Sequence, residues 1–489
     1  MRAHPAGPLH GDGLAPPAVP AVPDQATMSR LDAAIWPATA RRDASGAIAL
    51  GGRSVRDLVA THGTPLMLLD EADFRARAAA FRAAYTDPTI PGVVSYAGKA
   101  FMSATTVRWL DEAGLGLDVC TGGELALAAA VGFPAERLTL HGNNKSDAEL
   151  RAGLAAGVGR FVIDSLEEVD RLADLANAAG VVAQVMVRVT TGVEAHTHEF
   201  IATAHEDQKF GLSLSSGAAR DAVLEVRDRP ELHLVGIHSH IGSQIFSTSG
   251  FEVAAHRVVG FIADLAEQDG ISVEELNLGG GMGIAYLPSD DPVAPVGMAE
   301  ALRVIVAGEC GRRGIPVPRI AVEPGRAIVG PSMITVYEVG TVKPVEYRTG
   351  AWRTYVSVDG GMSDNIRTAL YDSDYTVVLA SRVSSAPAML ARVVGKHCES
   401  GDVVVRDAWL PSDLARGDLI AVAATGAYCR AMASNYNLVP RPPVVSVRGG
   451  DERVVIRRET QADLFALDPA LAGPDVVDAT MAAGAPATA

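Results

Sequence analysis

Cysteine is scarce in this chain and widely scattered: Cys120, Cys310, Cys398 and Cys429 form no Cys-x-x-Cys pair. That spacing excludes a disulfide framework and argues against a cysteine-ligated zinc site. Long apolar runs are missing as well. No stretch approaches the roughly 18 consecutive apolar residues of a membrane-spanning helix. Residues 1–27, broken by Pro and Gly, hold no apolar core of a secretory leader, so a cytoplasmic location is the expectation. Positive charge is in deficit, with 42 Lys and Arg against 58 Asp and Glu and a net charge of −16. Such a balance opposes nucleic acid and anionic membrane as partners and favours a small-molecule substrate.

What is present is length enough, at 489 residues, for two domains, one of them a barrel of about 250 residues. Residues 1–27 are rich in Pro, Ala and Gly and are expected to be a disordered extension, with Met28 as the natural start, and 466–489 to be a second flexible tail. From about 64 to 325, short apolar runs alternate with helical segments. The candidate strands are 93–97, 115–119, 138–141, 160–164, 185–189, 236–241, 276–279 and 320–323. Helical spacing covers 72–85, 103–113, 146–156 and 165–179, and Ser146 with Glu149 forms a capping-box signal. Eight βα units with no dinucleotide fingerprint after the first strand predict a closed (β/α)8 barrel over 65–330 rather than an open sheet. Beyond Pro331 the pattern becomes strand-rich, at 333–339, 352–358, 376–379, 388–394, 419–422 and 444–447. This predicts an all-β domain, sandwich- or barrel-like, over 331–465, to which residues 28–64 are expected to add strands.

In a parallel barrel the chemistry sits at the C-terminal strand ends. Those ends carry Lys99, Asp118, His141 with Asn143, Asp164, Arg188, His240, glycines 279–281 and Glu323, a set that predicts one enclosed site. Lys99 follows a buried strand between small residues, where partial burial favours a free amine able to condense with an aldehyde; alone, such a lysine is more often a solvated strand end. Gly279, Gly280, Gly281 and Gly283 follow the seventh strand, where backbone N–H groups can surround a phosphate. His240 is placed to lie flat on an aromatic ring and Ser243 to donate to a phosphate oxygen. Glu323 can hold a proton on a pyridine nitrogen, and Arg326 can grip a carboxylate through two parallel bonds. Lysine, cradle, imidazole and carboxylate together specify pyridoxal phosphate. The loop 190–210 is long and carries Glu194, His196, His198, Glu199 and His205; its spacing fits a lid over the barrel better than a metal site, and no metal is expected.

The motifs Tyr96-Ala97-Gly98-Lys99-Ala100, His238-Ser239-His240-Ile241-Gly242-Ser243-Gln244, Gly279-Gly280-Gly281, Glu323-Pro324-Gly325-Arg326 and Cys398-Glu399-Ser400-Gly401-Asp402 resemble those of the fold-type III decarboxylases that share the alanine-racemase barrel. Among these the match is to the diaminopimelate decarboxylase family, over about residues 30–460 and in the same order. The resemblance implies that Lys99 holds pyridoxal phosphate covalently, His240 stacks on its ring and Glu323 pairs with the ring nitrogen. It implies phosphate binding by Ser243, Gly280, Gly281, Gly283 and Tyr428. Substrate would be held by Arg326, Arg367, Tyr371, Glu399 and Tyr428, with Glu399 on the far ammonium group. Cys398 would be the candidate proton donor, with Lys99 the other candidate for the last proton. Because Cys398 and Glu399 reach the site from a second subunit in that family, a homodimer with shared active sites is implied. Read without the resemblance, Arg367 and Tyr371 are solvated more often than not.

The implied activity is decarboxylation at the D-centre of meso-2,6-diaminopimelate to L-lysine and carbon dioxide, the last step of lysine biosynthesis. The rival is an ornithine- or arginine-type decarboxylase of polyamine metabolism, and the non-enzyme alternative is a pyridoxal phosphate carrier or a silent regulatory homologue. A racemase would leave Cys398 and Glu399 without a use.

Overall fold

The structure is a computed structural model that describes residues 22–192 and 209–471. All eight expected barrel strands are present: β1 (Gly92–Ala97), β2 (Gly116–Val119), β3 (Leu138–Leu140), β4 (Arg160–Ile163), β5 (Ala183–Thr190), β6 (Leu232–Ser239), β7 (Glu275–Asn277) and β8 (Arg319–Val322). Each is parallel to its sequence neighbour, and Ile320 and Val322 of β8 stand opposite Gly92 and Val94 of β1, which closes the barrel. The strands are short and almost wholly buried because helices cover one face and barrel side chains the other. Start signals in the sequence become real caps. Ser146 and Glu149 cap each other's backbone at the start of Asp147–Ala156, which stops at the left-handed Gly157, and the Ser165 side chain accepts from the Glu168 N–H at the head of Leu166–Ala179. Strand β7 ends one turn before the glycines because Asn277 Oδ1 takes the Gly279 N–H at 2.8 Å.

The second domain is built around Met333–Arg348, which pairs with Ala351–Val358, Leu419–Val422 and Leu66–Asp70. Leu66–Asp70 lies in the stretch expected to open the barrel, yet all five residues are buried and it runs between Met333–Arg348 and Val444–Arg448. Four consecutive apolar residues without alternation suit a central strand covered on both faces. The barrel side begins immediately after it, with helix Glu71–Ala84, whose first turn is capped by Asp70 accepting from the Asp73 N–H. Residues Arg41–Arg42, Ile48–Leu50 and Arg53–Ser54 form their own three-stranded sheet, tied to the β domain by Ile48 N–H donating to Ala380 O at 2.9 Å. Strands Val403–Pro411 and Asp451–Ile456, which the sequence pattern did not single out, are hairpin partners of Ala388–Val394 and Val444–Arg448.

Across the end of the expected N-terminal extension, Gln25–Ser29 is a short helix capped by Asp24; residues 1–21 lie outside the described residues, as do 472–489 of the expected tail and 193–208 of the expected lid. No helix among the described residues is long and apolar enough to cross a membrane.

At the N-terminal end of the barrel, the buried Glu275 that opens β7 is gripped by Arg160 at the start of β4, with bonds of 3.0 and 2.9 Å, and by Arg319 at the start of β8, with bonds of 2.9 and 2.6 Å. One carboxylate thus links strands on opposite sides of the barrel, far from the strand ends that carry chemistry. Glu275→Ala strands two guanidinium groups and is expected to lower stability by about 3 kcal/mol, read as a fall in the urea midpoint. A loss below about 1 kcal/mol would class the cluster with solvent-screened surface pairs.

Candidate active site

Lys99 sits in the short turn Gly98–Ala100 that follows β1 directly. Gly98 is required there, since a Cβ would stand 2.6 Å from Asp118 O. The Lys99 side chain is exposed in the single chain, more open than the partial burial expected, because its neighbours Gly98, Ala100 and Gly325 offer nothing to cover it. It lines a cavity at the C-terminal mouth of the barrel together with His240, Ser243, Gly280, Gly281, Glu323, Arg326 and Tyr428. Residues separated by more than 300 positions in the chain therefore face one space.

Glu323, just past β8 and 7 % exposed, is the most closely held group in it. Its Oε1 accepts from Asn277 Nδ2 at 2.8 Å and pairs with His238 Nε2 at 3.0 Å, and His141 Nε2 lies 3.3 Å away. Among the described residues its Oε2 accepts no hydrogen bond. Burial would raise the Glu323 carboxyl, but the two histidines beside it hold it well below the usual carboxylate range. Burial pulls His238 down to about 4 despite the carboxylate, so His238 contributes a neutral N–H and His141 contributes the charge. His240 is also pushed well below the ordinary histidine value, first by burial and then by the charges of Lys99 and Arg188. Its Nδ1 accepts the Gly280 N–H at 3.1 Å, which fixes the ring against the glycine turn.

The turn itself is shaped for close approach. Gly281 has φ +101°, and a Cβ on Gly280 or Gly281 would run into the carbonyl oxygens of Glu323 and Gly242. Gln244 fastens the facing loop to it, donating to Ile284 O at 2.7 Å and accepting from the Ile284 N–H at 3.2 Å. Gly283 lies behind this cradle, its N–H donated to Ile245 O. Arg326, 5 % exposed, donates to Ser243 Oγ at 2.8 Å and to the Tyr286 hydroxyl at 2.6 Å. Arg367 comes from the β domain and is buried, which corrects the solvated reading. Its guanidinium carbon stands 5.3 Å from the Tyr371 ring, 5.4 Å from that of Tyr428 and 6.0 Å from that of Tyr286. Tyr428 holds a left-handed backbone at φ +67° and donates its N–H to Ala100 O at 2.9 Å, so the β domain is bonded directly to the lysine turn.

Cys398 and Glu399 are not brought to this cavity. Both are exposed on the turn between Ala388–Val394 and Val403–Pro411, and Glu399 borders a separate cleft with Met362, Ser434 and Tyr436. The turn is nonetheless fixed, for Asp402 accepts the N–H groups of Met362 at 2.6 Å and His397 at 2.8 Å. Of the other strand-end residues, Asp164 and Arg188 face each other at 3.9 Å and Asn143 is exposed. Sequence reasoning assigned no role to Tyr286, Asn277 or Gln244; Asn277, next to the glycine run, carried a positional signal, and Gln244 closes the His238–Gln244 motif.

The donor set fits pyridoxal phosphate. An ionised carboxylate is available for a ring nitrogen, an imidazole is pinned beside a glycine cradle, and the buried Nε atoms of Arg326 and Arg367 have no hydrogen-bond partner, as expected of groups that await an anion.

The model of the family described as pyridoxal-dependent decarboxylase, pyridoxal binding domain, matches residues 71–330. The chain is 54 % identical over 473 residues to a diaminopimelate decarboxylase of Mycobacterium leprae, covering 96 % of this chain and 100 % of the relative. It is 55 % identical to that of Mycobacterium tuberculosis, covering 89 % and 97 %. The crystal structure of a diaminopimelate decarboxylase from M. jannaschii in co-complex with L-lysine superposes with a TM-score of 0.82 at 30 % identity, covering 88 % of this chain and 98 % of the other.

Gly281→Ala forces the turn away from Gly242 and fills the cradle. It is expected to weaken pyridoxal phosphate binding by about tenfold or more, measured by titrating the stripped protein with the cofactor; unchanged affinity would contradict the cradle.

Proposed function

The chain belongs to the diaminopimelate decarboxylases, within the pyridoxal-dependent decarboxylases, and on that premise we propose that it decarboxylates meso-2,6-diaminopimelate at its D-centre, giving L-lysine and carbon dioxide in the last step of lysine biosynthesis. The observation that carries the reading is the single cavity shared by Lys99, His240, Glu323 and the Gly280 and Gly281 cradle. The rival ornithine- or arginine-type assignment is not favoured, because curated diaminopimelate decarboxylases match most of the chain at 42 to 55 % identity.

When bound, pyridoxal phosphate supplies an electron sink for the pair left behind as carbon dioxide departs. Lys99 would hold it through its amine. Glu323, ionised and fixed through Oε1, would keep a proton on the ring nitrogen, and so keep the sink effective at neutral pH. His240 would cover one ring face, and Ser243, Tyr428 and the glycine turn around Gly281 would bind the phosphate, with Gly280 and Gly283 shaping that turn through their own N–H bonds to His240 and Ile245. Arg326, Arg367 and Tyr371 would orient the substrate carboxylate and amino groups. The remaining tasks, recognition of the distal ammonium group and delivery of a proton, fall to the partner subunit's Glu399 and the partner subunit's Cys398 in a homodimer, with Lys99 the other candidate for the last proton. Their exposure and the rigidity of their turn support this assignment. A biosynthetic enzyme of this kind is expected in the cytoplasm.

Lys99→Ala should abolish both the visible absorbance of bound cofactor and carbon dioxide release from diaminopimelate; retention of either would count against the reading. Shared sites are tested by mixing. With Cys398 as the donor, Lys99→Ala and Cys398→Ala should each be inactive alone and together recover about a quarter of parental turnover after subunit exchange, since half the dimers are mixed and one site in each is intact. No recovery despite demonstrated exchange would place each site within one chain.

A further inference from the structure

The roles above use Lys99 and Glu323 but leave two neighbouring buried groups without a task. Asp118 ends β2 opposite Ala97, two residues before Lys99, and both of its carboxylate oxygens are buried without a hydrogen-bond partner. His141 follows β3 and is held by its N–H on Val119 O at 2.8 Å. Its Nε2, buried and likewise without a hydrogen-bond partner, lies 3.3 Å from Glu323 Oε1 and 3.7 Å from Asp118 Oδ1. The ring meets that of His238 edge-on, centroids 5.1 Å apart. His141 therefore stands between two buried carboxylates, in Coulombic range of both. Among the described residues, Lys99 and Cys120 near Asp118, Arg188 of β5, and His238 and His240 at the end of β6 also face this cluster.

Two carboxylates in one desolvated space cannot both stay ionised without a cation close to them. Burial and the Glu323 charge already push Asp118 up to about 7. Burial pulls the His141 imidazolium down, but the two carboxylates override it and push it up to about 9.

We propose that His141 is a positioning residue, an imidazolium that bridges Asp118 and Glu323 and thereby sets the protonation of the nitrogen atoms that Lys99 and the cofactor ring present beside those carboxylates. The inference rests on the reading that Lys99 carries pyridoxal phosphate. It assigns His141 an electrostatic task rather than contact with substrate.

Removing a positive charge raises the proton affinity of every group near it. In the holoenzyme, His141→Asn should therefore move the pH midpoint of the visible cofactor absorbance upward by about one unit or more, while His141→Lys, which restores the charge, should return it close to the parental value. An unmoved midpoint in His141→Asn, or equal shifts in both variants, would overturn the proposal. Should the variants not fold, nitrogen NMR of the parent decides. A doubly protonated His141 ring at pH 7.5 that loses a proton near pH 9 supports the bridge, and a neutral ring at pH 7.5 overturns it. A parent protein with no visible absorbance in the presence of the cofactor would instead refute the functional reading, and the NMR result on His141 would still stand.

Discussion

Everything at the mouth of this barrel is arranged around one ionised carboxylate taken out of water. Holding Glu323 charged while 7 % exposed carries a desolvation cost of several kcal/mol, and good geometry from neighbouring groups is what offsets it. Those neighbours are Asn277 from β7, His238 from β6 and His141 from beyond β3. None is near Glu323 in sequence. They meet because eight short strands close into a ring, so the closure of β8 onto β1 is a precondition of the chemistry rather than a backdrop to it. The same closure sets the lysine turn after β1 beside the carboxylate after β8.

The β domain completes the site from outside the ring. Met333–Arg348 pairs with Leu66–Asp70 from before the barrel and Leu419–Val422 from after it, so chain segments on both sides of the barrel are locked into one sheet. From the short helix Arg367–Tyr371 and the turn after Leu419–Val422, both carried by this domain, come Arg367 and Tyr428. The left-handed backbone of Tyr428, a conformation that costs about 1 to 3 kcal/mol, is kept by its bond to Ala100 O and aims its ring at Arg326 and Arg367. Cys398 and Glu399 show the opposite design. Their turn is braced by Asp402 yet faces outward, away from the cavity that Lys99 lines.

Much of this was legible from residue order alone, and the reasons differ by element. The eight barrel strands announced themselves because a doubly buried parallel strand is a short apolar run, and the helices after the first four of them open with a Ser or Thr cap. Leu66–Asp70 escaped because it abuts a helix with no turn residue between them, and only tertiary pairing reveals which domain owns it. Glycines 279–281, Lys99 and Glu323 stood out as unusual residues at strand ends. Arg367 did not, since an arginine four residues from a tyrosine looks solvated until two further aromatic rings, Tyr286 and Tyr428, come in from distant segments. Tyr286 acts only through contacts across loops, and no local pattern marks such a residue; Gln244 closes the His238–Gln244 motif, but its bonds to Ile284 exist only in the folded chain. The pairing of His141 with two carboxylates is likewise a product of the barrel's circumference.

The central claim is that the Lys99 amine, and no other, carries the cofactor within reach of Glu323 and the glycine cradle. Reduction of the holoenzyme with borohydride, followed by peptide mapping by mass spectrometry, reads this directly. The account predicts a single phosphopyridoxyl adduct on the peptide containing Lys99. An adduct on Lys145, Lys209, Lys343 or Lys396 instead, or none at all under cofactor saturation, would contradict it.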